Sequence, residues 1–238
     1  MVESKTMPMT HVSVEPLRAG ERMTLEEFIL RVDALGVKQV ELIGGRVHIM
    51  APPAEPHADF HSQIDYVLRF YARATAGCKC NVEAIVCIGD DGPVPDVCLR
   101  IREECGGAFD LQIIGEKNYI HGSPELLAEV SDYSVRHDLG KKLKLYCSGG
   151  VKEYVVVLVQ KQELRWHRLV NGAYKEIALP ADGVYRSKVF PGFWIKSDAF
   201  FADNDPALEE TLKQGLASSE HAEFVRMLES RGRRGSGG

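Results

Sequence analysis

The chain has no long hydrophobic stretch. Its longest apolar run, Tyr154–Val159, is far short of the roughly 20 residues that a membrane-spanning helix needs. Its N-terminus lacks the apolar core of a secretory signal, so a cytoplasmic location is the expectation. No glycine-rich phosphate-binding loop is present; Gly44-Gly45 reads as a hairpin turn instead. A basic surplus is missing too. Lys and Arg total 29 against 34 Asp and Glu, a net charge of −5, whereas a nucleic-acid binder usually carries excess positive charge. The placement of charge therefore matters more than its sum. Arg136, His137, Lys141, Lys142 and Lys144 fall close together, and Arg226, Arg231, Arg233 and Arg234 make the tail basic. The plain reading of both groups is a solvated helix face and a disordered end. Paired cysteine motifs are also absent. Cys78 and Cys80 stand one residue apart without a second pair at zinc-ribbon spacing, so Cys78, Cys80, Cys87, Cys98, Cys105 and Cys147 are expected to be reduced thiols.

What is present is an ordinary globular balance, 45% hydrophobic and 26% charged over 238 residues, enough to bury a core. Residues 1–20 show no periodicity and are expected to be disordered. Thr24-Leu25-Glu26-Glu27 is a capping box opening a helix that stops near Gly36. Residues 40–50 read as a hairpin broken by Ala51-Pro52-Pro53, and residues 56–76 have helical apolar spacing. Strands follow near 80–88 and 94–101, with Asp90–Pro93 as the turn between them. Residues 102–122 read as a loop with one short strand. A strand at 125–131 and a helix at 135–148 come next, the helix ended by Gly149-Gly150. Further strands are expected at 153–159, 163–169, 173–178 and 184–189, with Asn171-Gly172 as a hairpin turn. A C-terminal helix is expected over 204–230 and a disordered tail over 231–238. The pattern predicts one α/β domain over 21–203, with a mixed central sheet flanked by helices and an N-terminal β-hairpin.

Three acidic residues sit inside apolar strands: Glu41, Asp96 and Glu129. Desolvating a lone carboxylate is costly, so each needs a partner, a cation or water. Three in one domain point to a cation site, and a hard ion such as Mg²⁺ (or Mn²⁺) takes carboxylate oxygens. Phosphodiester hydrolysis uses such a site, often with a lysine beside it. The simple Glu-x-Lys arrangement would put that lysine at 131, where Ser131 stands. Lys142 is the replacement, on one helical arc with Leu139, Leu143 and Tyr146. Its plainer reading is an i, i+4 pair with Asp138, worth roughly 0.3–0.5 kcal/mol. Other candidates fall away. His57 and His61 have zincin spacing, but Ala58 replaces the required glutamate. His57 either approaches the site from the helix start or faces solvent. Asp132 either joins the metal shell or turns the chain. Ser131 lacks the flanking glycines of a nucleophile elbow. Tyr154 and Trp166 read as packing residues rather than base-stacking platforms.

Several segments taken in order resemble the Uma-two family of putative restriction endonucleases: Glu41-Leu42-Ile43-Gly44-Gly45-Arg46-Val47, Ala51-Pro52-Pro53, Pro95-Asp96-Val97, Glu129-Val130-Ser131-Asp132-Tyr133-Ser134, His137–Tyr146, Gly150–Tyr154 and Pro191-Gly192-Phe193. The match in order and spacing runs from about 24 to 201. The resemblance implies the PD-(D/E)XK nuclease fold, with Asp96 and Glu129 as metal ligands, Glu41 as accessory acid and further ligand, and Lys142 as a migrated catalytic lysine. It implies a Mg²⁺- or Mn²⁺-dependent endonuclease acting on nucleic acid, DNA rather than RNA. Cleavage of both strands would suit a homodimer. The competing functions are a catalytically weak or inactive nuclease fold serving as a binding or regulatory protein and, more distantly, another metal hydrolase.

Overall fold

The computed structural model describes residues 14–52 and 54–235. The disorder expected for residues 1–13 and 236–238, and the break at Pro53, lie outside the described residues. Helix α1 (Leu25–Leu35) begins where the capping box predicts: the Thr24 hydroxyl accepts from the Glu27 N–H at 3.2 Å, and Gly36 closes the helix at φ 62°. The hairpin β1 (Val40–Ile43) and β2 (Arg46–Ile49) follows, then α2 (His57–Ala74). Residues 14–20 are tied down rather than loose. Arg31 donates to the Glu15 and Pro16 carbonyls at 3.1 Å each, and the Gly20 N–H donates to Val47 at 2.8 Å.

The single strand expected at 80–88 is two, β3 (Cys78–Val82) and β4 (Val86–Cys87), separated at Glu83 with φ 46°. Next come β5 (Val97–Ile101), then β6 (Phe109–Ile114) and β7 (Lys117–Gly122). The last two form a hairpin where one short strand was expected. Its signal is weak because β6 buries Phe109 but leaves Asp110, Leu111, Gln112 and Ile113 exposed, so no alternation marks it. Strand β8 (Leu126–Ser131) leads to α3 (Val135–His137), a π turn (Asp138–Lys142) and α4 (Leu143–Gly149). Then follow β9 (Glu153–Leu158), β10 (Glu163–Val170), β11 (Ala173–Ile177), β12 (Val184–Arg186) and β13 (Trp194–Lys196). Helices α5 (Ser197–Phe201), α6 (Asp205–Leu216) and α7 (Ser219–Gly235) finish the described chain. The expected helix over 204–230 is thus two helices. The second continues to Gly235, past the start of the expected tail, and is anchored by buried Phe224 and Leu228.

The six-stranded central sheet has the order β11-β10-β9-β8-β5-β3, with β8 and β9 parallel and every other neighbour antiparallel. One face packs Val97, Leu99, Ala128 and Val157 against α2 and the C-terminal helices; the other packs Cys98, Leu127, Tyr154 and Val156 under α4. Tyr154 and Trp166 are fully buried, as packing residues should be. The architecture is mixed α/β, a mixed central sheet flanked by helices with an N-terminal hairpin. Among the described residues no helix is long and apolar enough to cross a membrane. All six cysteines are free.

Candidate active site

The site forms where the β5 and β8 ends meet the π turn and the β1–β2 hairpin. Val97 lies opposite Ala128 in the antiparallel pair, so extending that register by one step sets Asp96 opposite Glu129. The Val130 N–H donates to Asp96 Oδ2 at 2.6 Å, fixing that carboxylate beside Glu129. From above, the π turn widens the helix: the Leu143 N–H bonds back to Asp138, five residues earlier. Lys142 and Tyr146, one turn apart, then both descend on Glu129 Oε1, at 3.0 and 2.8 Å. Lys142 Nζ is also 3.0 Å from Glu41 Oε2. It is fully buried, and these two glutamates hold it rather than Asp138, whose carboxylate accepts the Ser134 hydroxyl at 2.5 Å.

Sequence reasoning missed two of these partners. His137 Nε2 lies 2.8 Å from Glu41 Oε1, and the Tyr146 hydroxyl anchors Glu129. His137 was visible only as part of a basic run, because its partner lies 96 residues away in sequence. Both oxygens of Glu41 are therefore engaged. By contrast, among the described residues Glu129 accepts hydrogen bonds only at Oε1 and Asp96 only at Oδ2 of its carboxylate. Ser131 is buried within hydrogen-bonding distance of Ser134, and Asp132 accepts from Gln160 at the surface. His57 and His61 share one face of α2. One ligand-type atom from each of His57, His61 and Asp96 lies within 4.8 Å of the others.

The charges are unequal. Burial opposes the Lys142 ammonium, but Glu129 and Glu41 outweigh it and push its pKa up. Burial also opposes the Glu41 carboxylate; Lys142 and His137 prevail and hold it at about 2. Burial raises Glu129 well above the usual carboxylate range despite Lys142, with Asp96, Asp138 and Glu41 adding to the rise. Burial likewise raises Asp96, against the pull of the Val130 N–H. Four acids thus act on one ammonium. That negative excess, together with the uncommitted oxygens of Asp96 and Glu129, fits a divalent cation. A groove of about 700 Å³ lies elsewhere, along Gly44, Asp90, Asp91 and Gly149, and none of the four candidate residues lines it.

The family model Uma2, "Putative restriction endonuclease", matches residues 25–198. The chain belongs to this family. A crystal structure from Anabaena variabilis, a putative nuclease belonging to DUF820, superposes with a TM-score of 0.58 at 17% identity, covering 76% of this chain and 98% of that one. At that identity the likeness shows the fold alone. No curated protein matches.

Proposed function

We propose that the chain is a divalent-metal-dependent endonuclease hydrolysing phosphodiester bonds, with DNA as substrate in preference to RNA. The observation that carries this reading is the pairing of half-committed carboxylates. Asp96 and Glu129 each have one carboxylate oxygen held by a hydrogen bond and one without a hydrogen bond among the described residues, beside a buried ammonium. Asp96 Oδ1 and Glu129 Oε2 are the proposed ligands for Mg²⁺ or Mn²⁺, and the protein's own hydrogen bonds preorganise both. A bound cation would supply charge neutralisation at the phosphoryl oxygen and a water of lowered pKa. Lys142 would orient the attacking water or stabilise the charge that develops on the phosphate. Glu41 is assigned to holding Lys142 rather than to the cation, since both of its oxygens are taken. His137 and Tyr146 fix the orientations of Glu41 and Glu129. Cutting both strands needs two such centres, and a homodimer would provide them.

The test is cleavage of plasmid, single-stranded DNA and RNA with Mg²⁺ or Mn²⁺, with and without chelator. Wild type should cut plasmid in either metal and not in chelator, and Asp96→Ala should lose at least about 100-fold in rate, as expected when a direct ligand is removed. Absence of cleavage on every substrate would favour the binding or regulatory role instead.

A further inference from the structure

We infer that His57, His61 and Asp96 form a second cation position, one that selects a borderline transition metal such as Co²⁺ or Zn²⁺ over Mg²⁺ and Mn²⁺. It goes beyond the hydrolytic reading, because the acid–lysine cluster uses neither histidine. The two rings project from α2 at i and i+4, one turn apart, with centroids 6.3 Å apart. Both are half-buried, which leaves a path for an ion. Asp96 immediately precedes β5 (Val97–Ile101). His61 Nε2 already lies 3.3 Å from the Asp96 carbonyl, so this part of α2 is locked against the acid.

The donor set decides the ion. Imidazole nitrogen suits Zn²⁺ and its Co²⁺ substitute, whereas Mg²⁺ and Mn²⁺ prefer oxygen and Mg²⁺ keeps its waters. Metal–nitrogen bonds of about 2.1 Å put tetrahedral ligand atoms about 3.4 Å apart. The separation of up to 4.8 Å therefore closes with small side-chain rotations. Asp96 belongs to both positions. A carboxylate shared between two ions about 3.5–4 Å apart is the arrangement of two-metal phosphodiester sites. The position has a histidine-rich side facing α2 and an oxygen-only side facing Glu129.

Cobalt is the probe, titrated into the full chain in excess Mg²⁺ so that the oxygen-only side is saturated. Calorimetry should show one Co²⁺ per chain, with visible d–d absorption. Loss of an outer-sphere partner alone costs 10–100-fold in affinity, so the H57A/H61A variant, having lost two ligands, should bind at least about 100-fold more weakly. Glu129→Gln should bind Co²⁺ as wild type does. Equal Co²⁺ affinity in the double-histidine variant would overturn the inference, as would its equal loss in Glu129→Gln. A thiolate-to-cobalt charge-transfer band would overturn it too, by placing the ion at cysteine. If the double variant fails to fold, diethylpyrocarbonate labelling of wild type decides. Co²⁺ should protect His57 and His61, and unprotected histidines in the Co²⁺-bound chain contradict the site. Plasmid cleavage is not read in any arm, so failure here is distinct from failure of the nuclease reading.

Discussion

At the scale of single residues, Lys142 is the centre of the account, and its neighbour Lys141 is the natural control. Lys142 is buried between two glutamates, so Lys142→Ala leaves acids buried without their cation and should cost about 3–5 kcal/mol. Lys141 is exposed one position away, and Lys141→Ala should change stability by less than about 0.5 kcal/mol. Urea midpoints of the two variants check this; equal midpoints would remove Lys142 from the buried network. The acids were legible in the sequence because charge inside an apolar strand demands an explanation. The same pattern, however, marks residues with plainly structural partners. Glu125 accepts from the Ile101 and Ala108 N–H groups at 2.9 Å each. Glu153, fully buried, holds Arg168 at 2.8 Å and the Ser187 hydroxyl at 2.6 Å. Strand position alone cannot tell a cation site from such an anchor, because the deciding partners lie far off in sequence. It is the resemblance to the family motif, rather than the periodicity, that singles out Glu41, Asp96 and Glu129 as the proposed site.

At the scale of elements, the capped helix, the hairpins and the central strands were legible because each has its own local signal, a cap, a glycine turn or an apolar run. The π turn was not: residues 135–148 read as one continuous helix, and the extra residue in the turn depends on packing over β8. The break between α6 and α7 escaped for a similar reason. Those helices are seated by close approach. A Cβ on Gly215 would lie 2.2 Å from the Gly192 carbonyl, backbone that cannot swing aside. Gly215→Ala should therefore cost about 1–3 kcal/mol, the usual range for overpacking. Thermal melts check it, and an unchanged midpoint would show that the α6 contact is loose. His221 secures α7 to α2: Nδ1 lies 2.9 Å from the Leu216 carbonyl and Nε2 3.0 Å from the Thr75 hydroxyl. Burial lowers its pKa from the ordinary 6.5, only partly offset by Leu216. The unfolded chain thus takes up this proton first on acidification. The contribution is complete above about pH 6.5 and is lost as pH falls through the lowered folded value. His221→Gln should flatten the fall in stability between about pH 7 and pH 5. His48 and His167 shift the same way and stay in the variant, so the slope should lessen without vanishing. An unaltered slope in denaturant titrations across that range would contradict this.

At the scale of the whole molecule, the proposed activity requires an acidic chain to bind a polyanion through local charge. Arg136, Lys141 and Lys144 are exposed on the helical segment that carries Lys142, which makes this edge the proposed nucleic-acid face. Replacing all three with glutamine should weaken duplex binding at all sequences alike. It should also reduce the slope of log affinity against log salt by about 2.7, at about 0.9 per phosphate contact. Fluorescence anisotropy at several salt concentrations measures this, and an unchanged slope would move the face elsewhere. The arrangement of the fold makes the site economical. Two adjacent antiparallel strands present the acids, a hairpin from the N-terminal region supplies Glu41, and a widened helix lowers Lys142 between them. The measurement that tests the central claim most directly is anomalous diffraction from a crystal soaked in Mn²⁺. The account predicts an ion bonded at about 2.1 Å to both Asp96 and Glu129, with Lys142 still paired to Glu41. Manganese bound without Glu129, or no manganese at Asp96, would contradict it.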